Sequence, residues 1–229
     1  MTDEELEACP FCAGREDRTP PETLRIGEPW RVRVVPNLYP AFDRQEVVIH
    51  TPDHVRSFAE LDNDQVALVA EAWTRRMDEV GGHVLALINE GRLAGASLPH
   101  THSQLVWTEA PAEALTDLPA LLEPHALARR GGVVAAVHPV GAGPYECLVA
   151  PEGLDGELAD GLVLVRDLIR RLQAAEGARP WNAWLHRGPP WHLHVLPRLT
   201  ALAGIELGAG VYVNVMPPEL AAERLRTAG

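Results

Sequence analysis

The pair His100-Thr-His102 returns as His192-Leu-His194, 92 residues further on, and each copy ends a similar run of elements. A repeat of this kind fixes the plan of the whole chain, so it is read before any single element. In the first copy, residues 30–35 (WRVRVV) alternate apolar and polar as a half-buried strand does, and Pro36, Asn37 and Pro40 punctuate its end. Residues 46–49 predict the next strand. Residues 62–79 predict a helix, with Val66, Val69, Ala70, Trp73 and Met77 at helical spacing and Gly81-Gly82 as its stop. A buried strand over 83–88 follows, and 104–107 is its hairpin partner across a loop. In the second copy, strands are expected over 133–137 and 147–149, a helix over 160–174, and strands over 181–186 and 192–196. Residues 9–29 read as loop, 112–130 as the connection between the copies, 210–215 as a last strand and 218–226 as a closing helix. The expected fold is α+β, with two related halves, 1–111 and 112–229, built of mostly antiparallel sheets with helices packed on them.

Composition excludes several classes of function. The formal charge is −12, which argues against a nucleic-acid binder with a basic face, although one nucleotide in a pocket depends only on local groups. No apolar run approaches the roughly 18 residues that span a bilayer, so no membrane partner is expected. The start, MTDEELEACP, is acidic and lacks the apolar centre of a signal peptide. Three cysteines, two of them in a CxxC, do not make a disulfide scaffold, and a cytoplasmic, reduced protein is expected.

The chemistry concentrates in residues 89–104, NEGRLAGASLPHTHSQ. Glycines let backbone N–H groups approach phosphate oxygens, and Ser97 adds a hydroxyl donor. Residues i and i+2 of a strand share a face, so His100 and His102 point the same way with Gln104 beside them. An imidazole is an available nucleophile at neutral pH, and its attack on phosphorus gives a labile phosphoramidate. The plainer alternative is a pair of core or surface histidines on a hairpin. Cys9-Pro-Phe-Cys12 has the spacing of two thiolates that bite one zinc ion, with histidines from elsewhere completing a tetrahedron. A redox CxxC is the alternative, but that motif opens a helix after a strand, and here AGRED follows it. Cys147 reads as a small buried hydrophobe, and His50, His83, His125 and His138 have no partner legible in sequence.

The segments CPFCAGREDRTPPE, VVPNLYPAF, TPDH, NEGRLAGASLPHTHSQ and GIELGAGVYVNV–PPELAAERLR resemble, in order, the successive blocks of galactose-1-phosphate uridylyltransferases, a branch of the histidine-triad superfamily. The resemblance implies two fused histidine-triad-like halves, the second degenerate. It further implies Cys9, Cys12, His54 and His100 as zinc ligands and His102 as the residue that carries a nucleotidyl group. Asn89, Gly95, Ser97 and Gln104 match phosphate-holding positions. Phe11, Val35 and Asn37 match the nucleoside pocket, and Glu206 a sugar-binding glutamate that often acts across a homodimer interface. His186, His192 and His194 match ligands that hold a second ion, iron or zinc, together with a glutamate, for which Glu113 and Glu123 are the two candidates. Substrates implied are a nucleotide sugar and a sugar 1-phosphate, in galactose or related carbohydrate metabolism. A lysine–aromatic pair that contacts sugar in family members has no counterpart, and Leu38 stands where some uridylyl enzymes carry an aspartate, so the resemblance does not extend to galactose specificity.

Gln104 narrows the reaction. Other histidine-triad branches have a third histidine there, able to protonate a poor leaving group; a glutamine only donates a hydrogen bond. That suffices when the leaving group is itself a phosphate. The chain therefore predicts a nucleotidyltransferase working by double displacement. Its alternatives are a phosphorylase of nucleotide sugars or dinucleoside polyphosphates, a hydrolase, and a zinc-stabilised nucleotide-binding protein without turnover.

Overall fold

The computed structural model describes residues 2–112, 115, 117–153 and 155–229. The described strands are β1 (Leu24–Ile26), β2 (Val32–Pro36), β3 (Gln45–Ile49), β4 (His83–Glu90), β5 (His102–Thr108), β6 (Ala126–Arg130), β7 (Val133–Val137), β8 (Cys147–Pro151), β9 (Trp181–His186) and β10 (His192–Pro197). All join one antiparallel sheet in the order β1-β2-β3-β5-β4-β9-β10-β8-β7-β6. The antiparallel pairing expected from the repeat is found, continuous through the pairing of β4 with β9 at the centre of the sheet.

Helices α1 (Asp3–Ala8), α2 (Asn63–Val80), α3 (Leu118–Leu122), α4 (Leu158–Glu176), α5 (Gly204–Ala209) and α6 (Pro218–Thr227) complete the described elements. The Asp62 carboxylate caps α2 through Gln65 N–H at 2.7 Å, a contact of a kind worth about 1 kcal/mol, and Gly81 ends the helix at φ +68°. The periodic residues Val66, Val69, Trp73 and Met77 of α2 pack with Leu162, Val165, Ile169 and Leu172 of α4 on one face of the sheet. That face supplies Ala86, Ile88, Leu105, Ala183, Leu185, Leu193 and Val195. No described helix is long and apolar enough to cross a membrane.

Among the described residues, apolar side chains cover the opposite face at its ends. Cys9, Phe11 and Trp30 pack over Val35, Val47 and Ile49 at one end, and Leu118 and Leu122 of α3 over Val134, Ala136, Leu148 and Ala150 at the other. Between them, Gln104, Leu87 and Trp184 are half-buried, and His192 and His194 are buried. Register places Gln104, Leu87, Trp184 and His194 directly across from one another, one per strand, so all four share that face.

Three expectations are corrected. Residues 210–215 form no strand: the segment pairs with no other among the described residues, and Val211, Tyr212, Val213 and Val215 are exposed. Its alternation of side chains lacks the neighbouring strand that would make it a ladder. The 112–130 stretch is more than a connection, since it carries α3 and β6. The N-terminal segment holds α1, a 3-10 turn at Glu16–Arg18 and β1. His50, which lacked a partner in sequence, is fully buried behind β5, its ring nitrogens 3.0 Å from Thr101 Oγ1 and 2.9 Å from Ser103 Oγ. Burial holds its pKa well below the ordinary histidine value.

Candidate active site and metal centre

Residues 91–101 leave the end of β4 and return into β5, and their path demands glycine. Gly91 (φ +85°) has Pro180 so close that a Cβ would sit 3.0 Å from the ring, and Gly95 (φ +91°) lies in the left-handed region facing the Asn89 amide. The Asn89 and Ser97 side chains, with His100 and His102, line one cavity of about 440 Å³. Gln104 follows His102 by two residues on the same face. The Gln45 amide donates to Gln104 Oε1, which leaves the Gln104 amide N–H₂ as donor toward a ligand.

His102 is 7% exposed and its Nδ1–H donates to the His100 carbonyl at 2.7 Å. That bond fixes the tautomer, so the lone pair is on Nε2. Burial lowers its pKa, which keeps the ring neutral and nucleophilic at pH 7. The Phe11 ring presents an edge to it at 5.4 Å between centroids.

Cys9, Cys12, His54 and His100 bring their donor atoms within 4.8 Å of one another. The spacings are 3.4 Å from Cys9 Sγ to His100 Nδ1, 3.3 Å from Cys12 Sγ to His54 Nδ1, and 3.7 Å from Cys12 Sγ to His100 Nδ1. Tetrahedral zinc with ordinary Zn–S and Zn–N bonds has an S···N edge of about 3.5 Å, so the set fits that ion. The far nitrogens are also engaged, His100 Nε2 with the Thr51 carbonyl at 2.9 Å and His54 Nε2 with Glu5 Oε1 at 3.0 Å. Glu5 is in turn gripped by Arg56, and these two partners hold its carboxyl down at about 2. Without a cation, burial and the neighbouring Cys9 push the Cys12 thiol up to about 11, a cost that a zinc ion removes by binding the thiolate. Sequence reasoning missed Glu5 and Arg56, for nothing in their spacing points to His54.

Comparison with known proteins follows this geometry. Residues 39–111 match the family model for the N-terminal domain of galactose-1-phosphate uridyl transferase. ADP-glucose phosphorylase of Arabidopsis thaliana is 24% identical over 96% of this chain and 81% of its own length. The galactose-1-phosphate uridylyltransferase of Streptomyces lividans is 34% identical over 43% of this chain and 29% of that protein. Over residues 39–111 this chain is thus similar to the galactose-1-phosphate uridylyltransferase family. The fold agrees: the crystal structure of the Arabidopsis ADP-glucose phosphorylase superposes with a TM-score of 0.85 at 21% identity, covering 96% of this chain and 90% of that one. A uridylyltransferase structure superposes with a TM-score of 0.80 at 24% identity, covering 96% and 89%.

Other residues matched to the family are distributed unequally. Phe11 and Val35 sit together in the small core beside the cysteines, while Asn37 is half-buried and holds the Tyr39 N–H at 2.9 Å. Glu206 is far from this arrangement in role: it caps α5 by accepting from Ala203 N–H at 2.9 Å and does not line the His102 cavity. His186, His192 and His194 do cluster, with the first two rings stacked at 4.5 Å, and His186 Nδ1 and His192 Nδ1 are buried without a described partner. Those orphaned nitrogens are compatible with an additional ligand. Of the two glutamates expected there, Glu123 is not beside them. Glu123 is exposed and paired with Arg129 at 3.0 Å, and Glu113 lies outside the described residues. Instead Glu146, buried, accepts from His194 Nδ1 at 2.7 Å. His138 lies beside it, its Nδ1 accepting from Val140 N–H.

Proposed function

We propose that this chain transfers a nucleoside monophosphate between phosphates through a nucleotidyl-His102 intermediate, with a nucleotide sugar as donor and a sugar 1-phosphate as acceptor. The observation that carries the reading is the His102 imidazole, held through Nδ1 by the His100 carbonyl, which leaves Nε2 as the free nitrogen of a residue lining the same cavity as the glycine-rich loop. Nε2 attacks the α-phosphorus; a P–N bond forms and the P–O bond to the sugar phosphate breaks, the leaving group departing with its own charge. No acid is required, which matches a glutamine at position 104. Backbone N–H groups around Gly95, with Ser97, Asn89 and Gln104, donate to the phosphoryl oxygens as charge develops. An acceptor phosphate oxygen then attacks phosphorus, the P–N bond breaks, and His102 is restored.

Zinc on Cys9, Cys12, His54 and His100 is structural in this reading, since four protein ligands leave no position for water. Glu5 orients His54 from behind. Glu5→Gln is expected to weaken zinc retention about 10–100-fold, as carboxylates behind ligating histidines do; competition against a chromophoric chelator measures it. The His186–His192–His194 cluster, backed by Glu146, is the corresponding reading for a second ion, iron or zinc. Halves 1–111 and 112–229 are the organisation we assign. A cytoplasmic homodimer in which Glu206 serves the partner's site would also cover the apolar stretch at Val211, Tyr212 and Val213.

A phosphorylase is the second reading. It is favoured by the ADP-glucose phosphorylase relative, whose match spans 96% of this chain. Chemistry at His102 is the same, with inorganic phosphate as acceptor.

The test is the intact mass of the protein after brief incubation with UDP-glucose or ADP-glucose. A gain of one uridylyl or adenylyl group supports the intermediate and names the base. Product analysis with phosphate or with a hexose 1-phosphate then separates the two readings. No gain with any nucleotide sugar would overturn both.

A further inference from the structure

The transfer chemistry leaves His50 unused, although its ring is fully buried directly behind the nucleophile. Its place follows from register. Ile49 at the end of β3 stands across from His102, so the next residue, His50, stands across from Thr101, and its N–H donates to the Thr101 carbonyl at 3.4 Å. Thr101 and Ser103 point to the opposite side of the chain from His102, the side on which Trp73 of α2 meets Ser103. The His50 imidazole lies between the two hydroxyls and touches both neighbours of the nucleophile at once.

Counting donors sets the direction of each bond. The Trp73 indole N–H can only donate, and it does so to Ser103 Oγ at 2.8 Å. Among the described residues the Ser103 O–H has His50 Nε2 as its acceptor, at 2.9 Å. His50 then carries its proton on Nδ1 and donates to Thr101 Oγ1 at 3.0 Å. None of these side-chain atoms is left without a partner among the described residues, as burial of polar groups demands. The surroundings of the ring are tied separately. The Gln65 amide donates to the His50 carbonyl at 2.5 Å and to the Arg31 carbonyl at 2.9 Å, and the Phe58 ring presents an edge to His50 at 5.4 Å. An apolar ring would fill the same core; an imidazole also joins residues 101 and 103.

We propose that His50 is a positioning residue for nucleotidyl transfer: by bridging Thr101 and Ser103 from behind, it holds the backbone of residues 100–103 so that His102 Nε2 meets the phosphorus. The inference rests on transfer at His102. The His100 carbonyl that accepts the His102 Nδ1–H belongs to the peptide bond entering Thr101. The N–H of that same peptide donates to the Val55 carbonyl at 2.7 Å. A clamp on Thr101 therefore also fixes the acceptor that orients the nucleophile. Misplacing a nucleophile by about 1 Å costs on the order of 100-fold in rate, so loosening this clamp acts on the chemical step, with the nucleotide cavity and the zinc donors left in place.

The experiment follows single-turnover labelling by UDP-glucose or ADP-glucose, together with the nitrogen-15 NMR signals of the His102 ring, in zinc-loaded protein. The variants are His50→Phe, His50→Gln, Thr101→Val and the double variant of His50→Phe with Thr101→Val. His50→Phe is expected to slow labelling about 10–100-fold, to keep UMP or AMP affinity and zinc content, and to shift or broaden the His102 Nδ1 signal. His50→Gln, whose amide can reach Ser103, is expected to label faster than His50→Phe. Thr101→Val is expected to slow labelling about tenfold, the size of one lost hydrogen bond, and to add little to His50→Phe, since both break the same contact. Where His50→Phe fails to fold or loses zinc, Thr101→Val takes its place. Equal labelling rates in the unsubstituted protein and the variants would overturn the positioning role. So would a loss carried by nucleotide affinity in place of rate, or fully additive slowing in the double variant. No label in the unsubstituted protein, with a His102 signal that still moves in His50→Phe, would overturn the transfer reaction and leave the clamp standing.

Discussion

His102→Ala is expected to abolish the nucleotidyl label and to lower turnover by at least about four orders of magnitude, as removal of a nucleophile does. Alanine removes Nε2, the atom that forms the P–N bond, and no described neighbour replaces it. His100 is the adjacent imidazole of the motif, but its Nδ1 stands 3.4 Å from Cys9 Sγ and its Nε2 faces the Thr51 carbonyl. The substitution leaves every zinc donor in place. Zinc content by elemental analysis is therefore expected to match the unsubstituted protein, and nucleotide binding to persist. Label or normal turnover in His102→Ala would overturn the mechanism; loss of zinc along with activity would mean that the variant reports on folding instead.

Zinc removal is expected to act through the N-terminal segment rather than through the chemistry. Residues 9–13 reach the sheet by way of the cysteines, the small core of Phe11, Trp30, Val35, Val47 and Ile49, the Phe11 edge on His102, and the Ala13 N–H donating to the Pro52 carbonyl at 2.9 Å. That core is separate from the one between the sheet and helices α2 and α4. Chelation, or Cys12→Ser, is expected to free this segment for proteolysis while the helical core stays folded. Labelling should fall by about 100-fold or more, because Phe11 and the His100 backbone place the nucleophile and a shift near 1 Å is enough for that loss. Limited proteolysis with mass mapping, in parallel with labelling, reads both. A chelated protein that keeps full labelling would show that the metal does not position His102.

Much of this was legible because the relevant patterns are local. The α2 helix runs one residue off its expected bounds since its cap, stripe and glycine stop all lie in the sequence. The strand expected over 104–107 was legible because alternation fixes a face; it starts earlier, at His102, and leaves His100 outside, turned toward the cysteines. What escaped needs long-range geometry. Glu146 lies 48 residues from His194 and meets it only because β8 and β10 pair. Glu5 lies 49 residues from His54 and was hidden in a segment read only as acidic. The 210–215 segment failed for the opposite reason: alternation was present, but nothing in the described chain pairs with it.

One consequence of the half-covered sheet concerns how such a chain can change. On β4, β9 and β10 each outward residue alternates with one buried under the helices, as Leu87 does with Ala86 and Ile88, or Trp184 with Ala183 and Leu185. Side chains of the half-covered face and side chains that hold the fold are therefore interleaved along the same strands yet point apart. A substitution at Leu87 or Trp184 alters the outward face without opening a void in the core beneath the helices. Selection can thus change this face one outward position at a time, with the loop and His102 left as they are.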